Sequence, residues 1–284
     1  DRLVEDKESG VLLNRVTQWM YPPGSTFKIV TALEYIRENP DSYQNYGFLC
    51  NGSYSDGPDR INCYHGTSHG QEDFAMAFAK SCNAAFADIG IKLDKGKFQD
   101  TLKELMFNGD LPLDMNYNKS RIQVSGESSN GEMMQIAIGQ GTTGMSPMHL
   151  NMITNAIANG GVLVPPYLIE RVENSAGTVV KQFSASPGRQ LMSEQEASAL
   201  KELMQGVVEK GTASRLKGLS YTAAGKTGSA EYSNVKEESH AWFTGFAPAE
   251  EPQISVTVII EGAGSGGDYA VPVAKRIFDA YFGV

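Results

Sequence analysis

Several things are scarce in this sequence. Its 284 residues include only three cysteines, Cys50, Cys63 and Cys82, too few for a disulfide framework. The longest apolar runs stop well short of the roughly 20 residues that cross a bilayer. The opening "DRLVEDKESG" is acidic and polar, whereas a secretory leader is basic and then apolar. If the protein works outside the cell, its anchor or export signal is expected to lie outside this sequence. No cluster of Lys or Arg offsets the net charge of −9, which argues against a nucleic-acid surface. Repeats and low-complexity linkers are absent as well. What remains is an ordinary globular composition, 41% hydrophobic and 20% charged, on a chain long enough for one large domain or two small ones.

The cysteines suggest little chemistry by spacing alone. Cys50 and Cys63 flank a turn-rich stretch, "CNGSYSDGPDRINC", and could pair in an oxidising compartment. "CYHGTSHG" groups Cys63, His65 and His69. Two histidines four apart need a helix to share a face, and Gly66 and Gly70 read as loop. A fourth ligand is lacking, so the sequence predicts neither a metal site nor a cofactor.

A short stretch raises a sharper question. In "YPPGSTFKIV" two prolines and a glycine precede Ser25, and Lys28 follows three residues later. Proline keeps a helix from running in from upstream. Phe27, Val30, Ala32, Leu33 and Ile36 recur at helical spacing beyond it, so Ser25 is expected on the first turn of a buried helix. Backbone N–H groups are free there and favour negative charge, and residues three apart share a face, so Lys28 Nζ can approach Ser25 Oγ. The plainer alternative is a serine cap with a solvated lysine behind it. Ser-x-x-Lys also occurs at Ser214 to Lys217 and at Ser233 to Lys236, so context has to decide.

Helices are expected over 72–80, 83–93 and 97–107, the last with Phe98, Leu102, Leu105 and Met106 inward. "SPMHLNMITNAIANGG" carries a cap at Ser146, Pro147 at the first position and a stop at Gly160 and Gly161. A capping box, Ser193 with Glu196, opens a helix that ends at Gly211. Near residue 220 the pattern turns to three β-rich runs. Ile254, Val256, Val258 and Ile260 alternate as on a half-buried strand. A closing helix offers Val273, Ile277, Phe278 and Tyr281 to that sheet. The expected class is α+β, an antiparallel sheet with helices on both faces and an all-helical subdomain.

Two further fragments fall where an active site needs them. "KSCNAAF" puts Ser81 and Asn83 on a tight turn between helices, and "AAGKTGSAEY" puts Lys226, Thr227, Gly228 and Ser229 on the first late strand. Ser-x-Asn recurs at Ser128 to Asn130, but Lys-Thr-Gly occurs once. The order Ser-x-x-Lys, Ser-x-Asn, Lys-Thr-Gly, on a helix start, an interhelical turn and a strand, marks penicillin-binding proteins and serine β-lactamases. The chain resembles the transpeptidase domain of a class B, monofunctional penicillin-binding protein. "LLNRVTQWMYPPGSTFK", "SCNAAFADIG", "MMQIAIGQGTTGMSPMHLNMITNAIANGG" and "AGKTGSAEY" followed by "HAWFTGFAP" carry the resemblance, which extends from about Leu13 to Phe282.

The resemblance implies a D,D-transpeptidase that crosslinks peptidoglycan stem peptides and binds β-lactams covalently. It implies Ser25 as nucleophile, Lys28 as its base, and Ser81 as proton relay to the leaving amine. Asn83 would bond Lys28 and the substrate amide. Lys226 and Thr227 would meet the carboxylate of a D-Ala-D-Ala stem, and Gly228 would let the peptide lie against the strand. The N–H groups of Ser25 and Ser229 would form an oxyanion hole. Lys28 must be neutral to act, and burial and the cation Lys226 would lower its pKa toward about 7 to 8. Wall-synthesis or division proteins are the implied partners, and the outer face of the bacterial membrane, through an N-terminal anchor, the implied location. The rivals are a serine β-lactamase, for which "ELMFN" (Glu104 to Asn108) is a near match to a deacylation motif, and a β-lactam-sensing or scaffold module.

The family begins this domain with a β-hairpin that is not found ahead of "DRLVEDKESG". Residues 1–284 are therefore expected to form one transpeptidase domain truncated at its N-terminus, without pedestal or anchor. Its sheet should have about three strands, with 254–260 at an edge.

Overall fold

The structure, a computed structural model, describes residues 10–231 and 239–284. The copy of Ser-x-x-Lys at 233–236 lies outside them. After Pro22 and Pro23 a 3-10 turn, Gly24–Phe27, runs directly into helix α1, Lys28–Glu38. Neither segment has a side-chain cap at its start. Ser25 is therefore not a capping serine. Lys28, Ile29, Val30, Thr31, Ala32, Leu33 and Glu34 are all buried, so α1 passes through the core rather than along the surface.

The next stretch is more extended than expected. Strand β1, Gly47–Cys50, pairs antiparallel with β4, Gly70–Asp73. Between them β2, Ser53–Asp56, and β3, Asp59–Asn62, form a hairpin with Tyr54 opposite Ile61. Its strands are polar and only Ile61 is buried, so the residues read as loop. Because β4 takes Gly70–Asp73, helix α2 is only Phe74–Ala79, opened by Asp73 accepting from the Met76 N–H at 2.7 Å. Helix α3, Asn83–Lys92, follows after one turn. Helix α4, Lys95–Glu104, buries Phe98 and Leu102, and Leu105 and Met106 are buried just past its end.

Helix α5, Asn130–Ala137, is opened by a capping box of Ser129 and Glu132. Ser128 to Asn130, the second Ser-x-Asn, is thus the entry to a helix. Helix α6, Pro147–Ala158, has Ser146 accepting from the His149 N–H at 3.2 Å, and Gly160 and Gly161 beyond its end have positive φ. Four short strands follow, β5 at Val162–Leu163, β6 at Arg171–Glu173, β7 at Val179–Gln182 and β8 at Arg189–Gln190, paired β5 with β8 and β6 with β7. Helix α7, Glu194–Lys210, carries the expected Ser193–Glu196 box and ends at Gly211.

The main sheet comes last. Strands β9, Ala224–Glu231, β10, Ser239–Ala247, and β11, Ile254–Ile260, run antiparallel in the order β11-β10-β9. Among the described residues β11 has no neighbour on its outer side, and 10–20 form turns rather than strands. The part of the expectation that concerns 1–9 lies outside the described residues. Lys226, Thr244 and Thr257 are in register across the sheet. Thr244 and Thr257 bond each other at 2.7 Å, and then Thr154 and Asn151 of α6 at 2.7 and 3.1 Å. This face therefore looks onto α6. Side chains alternate along a strand, so Val256 and Val258 face the other way, toward helix α8, Val271–Phe282, which packs on β11 and β10. The buried side of α8 is Val271, Ala274 and Phe278. Of the expected set Phe278 is buried as expected, but the rest is corrected: Val273, Ile277 and Tyr281 are 37%, 39% and 52% exposed. Both triplets have helical spacing, and periodicity alone does not say which one meets the sheet. The class is α+β as expected, and no described helix is long and apolar enough to cross a membrane.

Candidate active site

The Ser25 turn is held from three sides. Trp242 Nε1 donates to Pro22 O at 3.2 Å, and Gly24 N donates to Gly139 O at 3.0 Å. Strand β9 crosses directly over the turn. A Cβ on Gly228 would lie 3.0 Å from Pro23 O and 3.1 Å from Thr26 Cγ2. Gly228 is thus bare on the side that touches the turn, and its missing side chain makes room for the Ser25 segment. Gly139, with φ +74, is tighter: a Cβ there would lie 2.1 Å from Gly24 O. The sequence reading passed over Gly139, and its only signal was the run "GQG" beside a helix end. Gly139→Ala is expected to cost roughly 1–3 kcal/mol through overpacking, and to slow reaction at Ser25 by displacing its turn. A urea melt and an acylation rate measured on the same sample would show a wild-type rate if Gly139 were only structural.

Lys28 and Lys226 are both 0% exposed, and both reach the turn before α3. Lys28 Nζ donates to Asn83 Oδ1 and to Ser81 O, each at 2.7 Å, and lies 3.3 Å from Ser81 Oγ. Lys226 Nζ donates to Ser81 Oγ at 2.9 Å and to Thr227 O at 3.1 Å. Ser81 adopts a left-handed φ of +59, a conformation unusual for a residue with a Cβ. It places both the Ser81 carbonyl and hydroxyl where the ammonium of Lys28 meets them. Asn83 Nδ2 donates on to Asn62 O at 3.0 Å, tying the turn to β3. Ser25, half-buried, has no hydrogen bond to Lys28 among the described residues. The serine and the base share a helical face, and the ammonium is held by Ser81 and Asn83. Catalytic contacts of this kind often tighten only when substrate is bound.

Two ammonium groups without a carboxylate partner in a dry site cannot both keep their protons cheaply. Burial pushes the Lys28 pKa down from 10.5 to about 8, with Cys82, Cys63 and Glu72 pulling the other way. Lys226 is driven well below its ordinary range, first by burial and then by Lys28. The expected lowering of Lys28 is present, but burial causes it; the charge repulsion falls on Lys226.

Residues alternate along β9, so Lys226 and Gly228 face the Ser25 turn while Thr227 and Ser229 share the opposite side. The Thr227 hydroxyl is bonded to the Thr212 hydroxyl, and Ser229 Oγ accepts from Gly266 N at 3.3 Å. Thr212 was not foreseen, since nothing in "KGTAS" marks it. Two open clefts, of about 840 and 630 Å³, meet at Gly141 and Thr142. The smaller one borders the Ser25 turn at Tyr21 and Pro22 and the end of β9 at Glu231. The groups around Ser25, two lysines, a hydroxyl and an amide, are not a metal-ligand set.

A model of the penicillin binding protein transpeptidase domain matches residues 2–279. The chain belongs to the penicillin-binding protein transpeptidase family. Its relatives mark the class B branch. It is 28% identical over 300 residues to the peptidoglycan D,D-transpeptidase PbpA of Mycolicibacterium smegmatis, covering 99% of this chain and 58% of that protein. It is 29% identical over 269 residues to the stage V sporulation protein D of Bacillus subtilis, covering 90% and 41%. The chain thus spans between about two fifths and three fifths of the length of these curated relatives. Among solved structures, the D,D-transpeptidase domain of an Eggerthella lenta peptidoglycan glycosyltransferase superposes with a TM-score of 0.88 at 26% identity, over 99% of this chain and 70% of that one. The penicillin G acyl-enzyme of Mycobacterium tuberculosis penicillin-binding protein A gives 0.87 at 25%, over 99% and 65%. This branch of penicillin-binding proteins shares the α+β fold found here.

Proposed function

We propose that this domain is a peptidoglycan D,D-transpeptidase, joining stem peptides through a serine acyl-enzyme and inhibited covalently by β-lactams. The observation that carries the reading is the meeting of Lys28, Ser81, Asn83 and Lys226 beside the Ser25 turn. Neutral Lys28 takes the proton of Ser25 Oγ, which attacks the carbonyl of the penultimate D-Ala. The N–H groups of Ser25 and Ser229 receive the developing oxyanion. Ser81, bonded to both lysines, passes a proton to the leaving D-Ala nitrogen as the C–N bond breaks. An amine of a neighbouring stem then attacks the ester, returns Ser25 its proton and completes the crosslink. Lys226 and Thr227, from the two sides of the edge strand β9, supply a cation and a hydroxyl for the terminal carboxylate. Asn83 orients Lys28 and meets the substrate amide.

The site residues serve one transpeptidase domain, anchored by other parts of the protein at the outer face of the bacterial cell membrane, within a wall-synthesis or division complex. A complex of a Helicobacter pylori penicillin-binding protein, PBP2, with MreC superposes with a TM-score of 0.82.

In one class of serine β-lactamase a glutamate activates the deacylating water. Glu104 is committed elsewhere: it pairs with Arg37 at 2.7 Å. Arg37 lies nine residues beyond Lys28, about 13 Å along α1 at the usual rise. The test is incubation with a D-Ala-D-Ala stem pentapeptide and an acceptor amine, with a chromogenic cephalosporin run in parallel. Crosslinked product with negligible cephalosporin turnover is expected. Sustained cephalosporin hydrolysis without crosslinking would assign the site to a β-lactamase.

A further inference from the structure

Directly beside the Ser81–Asn83 turn lies a second cluster that the serine chemistry does not use. Cys50 at the end of β1, Cys63 after β3, His69 before β4 and Cys82 between α2 and α3 bring one ligand atom each within 4.8 Å of one another. Cys50 Sγ is 3.6 Å from Cys63 Sγ and 3.4 Å from His69 Nδ1, and Cys63 Sγ is 3.7 Å from Cys82 Sγ. Zinc–sulfur bonds of about 2.3 Å and zinc–nitrogen bonds of about 2.0–2.1 Å at tetrahedral angles place ligand atoms roughly 3.5–3.8 Å apart. These three spacings fit one ion at the centre, and the remaining pairs, all within 4.8 Å, need only a small closing of the cluster. A disulfide would join two of the sulfurs at about 2.05 Å and leave a third thiol and an imidazole converging for no reason.

The surroundings of the sulfurs favour thiolates. Gly52 N donates to Cys50 Sγ at 3.4 Å, Ala84 N to Cys63 Sγ at 3.5 Å, and Ala85 N to Cys82 Sγ at 3.4 Å. Backbone N–H donors aimed at each sulfur are the outer support that metal-bound thiolates need. All three cysteines are buried and His69 is half-buried, as in a closed structural site.

We propose that Cys50, Cys63, His69 and Cys82 bind one Zn²⁺ in a closed tetrahedral site. Three soft sulfurs and an imidazole suit zinc above harder cations. The three thiol protons leave to solvent on binding. This reverses the reading of the sequence, which saw no fourth ligand. Cys82, 19 residues after Cys63, and Cys50 complete the set of four, while His65, in a left-handed conformation at φ +50, takes no part. The ion acts as a positioning group. Cys82 stands between Ser81 and Asn83, so ligating it pins that left-handed turn to the paired strands β1 to β4.

The experiment is elemental analysis of the full chain, expressed without a metal-affinity tag and kept native. One zinc per chain is expected, and cobalt substituted for it should show the intense visible bands of tetrahedral thiolate coordination. Cys82→Ser and His69→Ala should each lose most of the zinc, lower the melting temperature, and slow penicillin acylation about tenfold or more, as loss of ligand support typically does. Wild-type protein that stays metal-free after dialysis against zinc would overturn the proposal. So would peptide mapping that finds a disulfide joining two of the cysteines in metal-free protein. Zinc content measured on Ser25→Ala protein is independent of the enzymatic reading, so either can fail alone.

Discussion

Ser25→Ala protein is expected to take up no benzylpenicillin, while Ser128→Ala and Ser214→Ala proteins label as the wild type does. The contrast follows from where each serine sits. Ser25 lies at the start of a helix dipole, one turn from a buried lysine and beneath the Lys-Thr-Gly strand. Ser128 Oγ accepts from Ser125 N at 3.0 Å in a turn that leads into α5. Ser214 belongs to a short 3-10 turn, and Lys217 behind it bonds Glu209 O at 3.0 Å and Glu209 Oε2 at 3.2 Å. Removing the Ser25 hydroxyl breaks no described hydrogen bond, so the variant should melt with the wild type. Labelling that persists in Ser25→Ala would end the assignment.

Lys28→Arg should cut acylation a hundredfold or more, in line with what a positioned general base contributes. Arginine keeps the charge and some of the bonds to Ser81 and Asn83, but it stays protonated and accepts no proton. The wild-type rate should also follow pH in a set direction. Lys28 is pushed down to about 8 by burial, so its neutral fraction, and with it the acylation rate, rises with pH up to about 8 and levels off above. The sign for stability is the same. Between about 8 and 10.5 the unfolded lysine holds a proton that the folded one has lost, so stability rises with pH across that window. A near-normal rate in Lys28→Arg, or a wild-type rate flat below pH 8, would make Lys28 structural.

The parts of the site that could be read in advance are those written in short local signals. Prolines ahead of Ser25, the turn between two apolar helices at Ser81 and Asn83, and the β-rich run around Lys226 each declare their own backbone. The caps at Ser146 and Ser193 are as local. What escaped was set by meetings between distant segments. The hairpin at 53–62 buries a single apolar residue, so no alternation marks it. Helix α5 starts inside a stretch that looked like a spare Ser-x-Asn. The two apolar stripes of α8 are equally periodic; Phe278 was expected inward, but only packing on β11 picks Val271 and Ala274 to go with it. Cys82 reaches Cys50, Cys63 and His69 through the β1–β4 pairing, which spacing arguments do not see. The lowered pKa of Lys28 was foreseen with burial as one of two causes; burial is the cause found, and the other, the charge of Lys226, is not among its causes.

The central claim is that Ser25 is the acylated nucleophile. Mass spectrometry of the wild-type protein after incubation with benzylpenicillin, on the intact chain and then on its proteolytic peptides, addresses it directly. The expected result is a single adduct of the full antibiotic mass, persisting for many minutes and mapping to the peptide that contains Ser25. An adduct on any other residue, or none at all in protein that is folded, would contradict it.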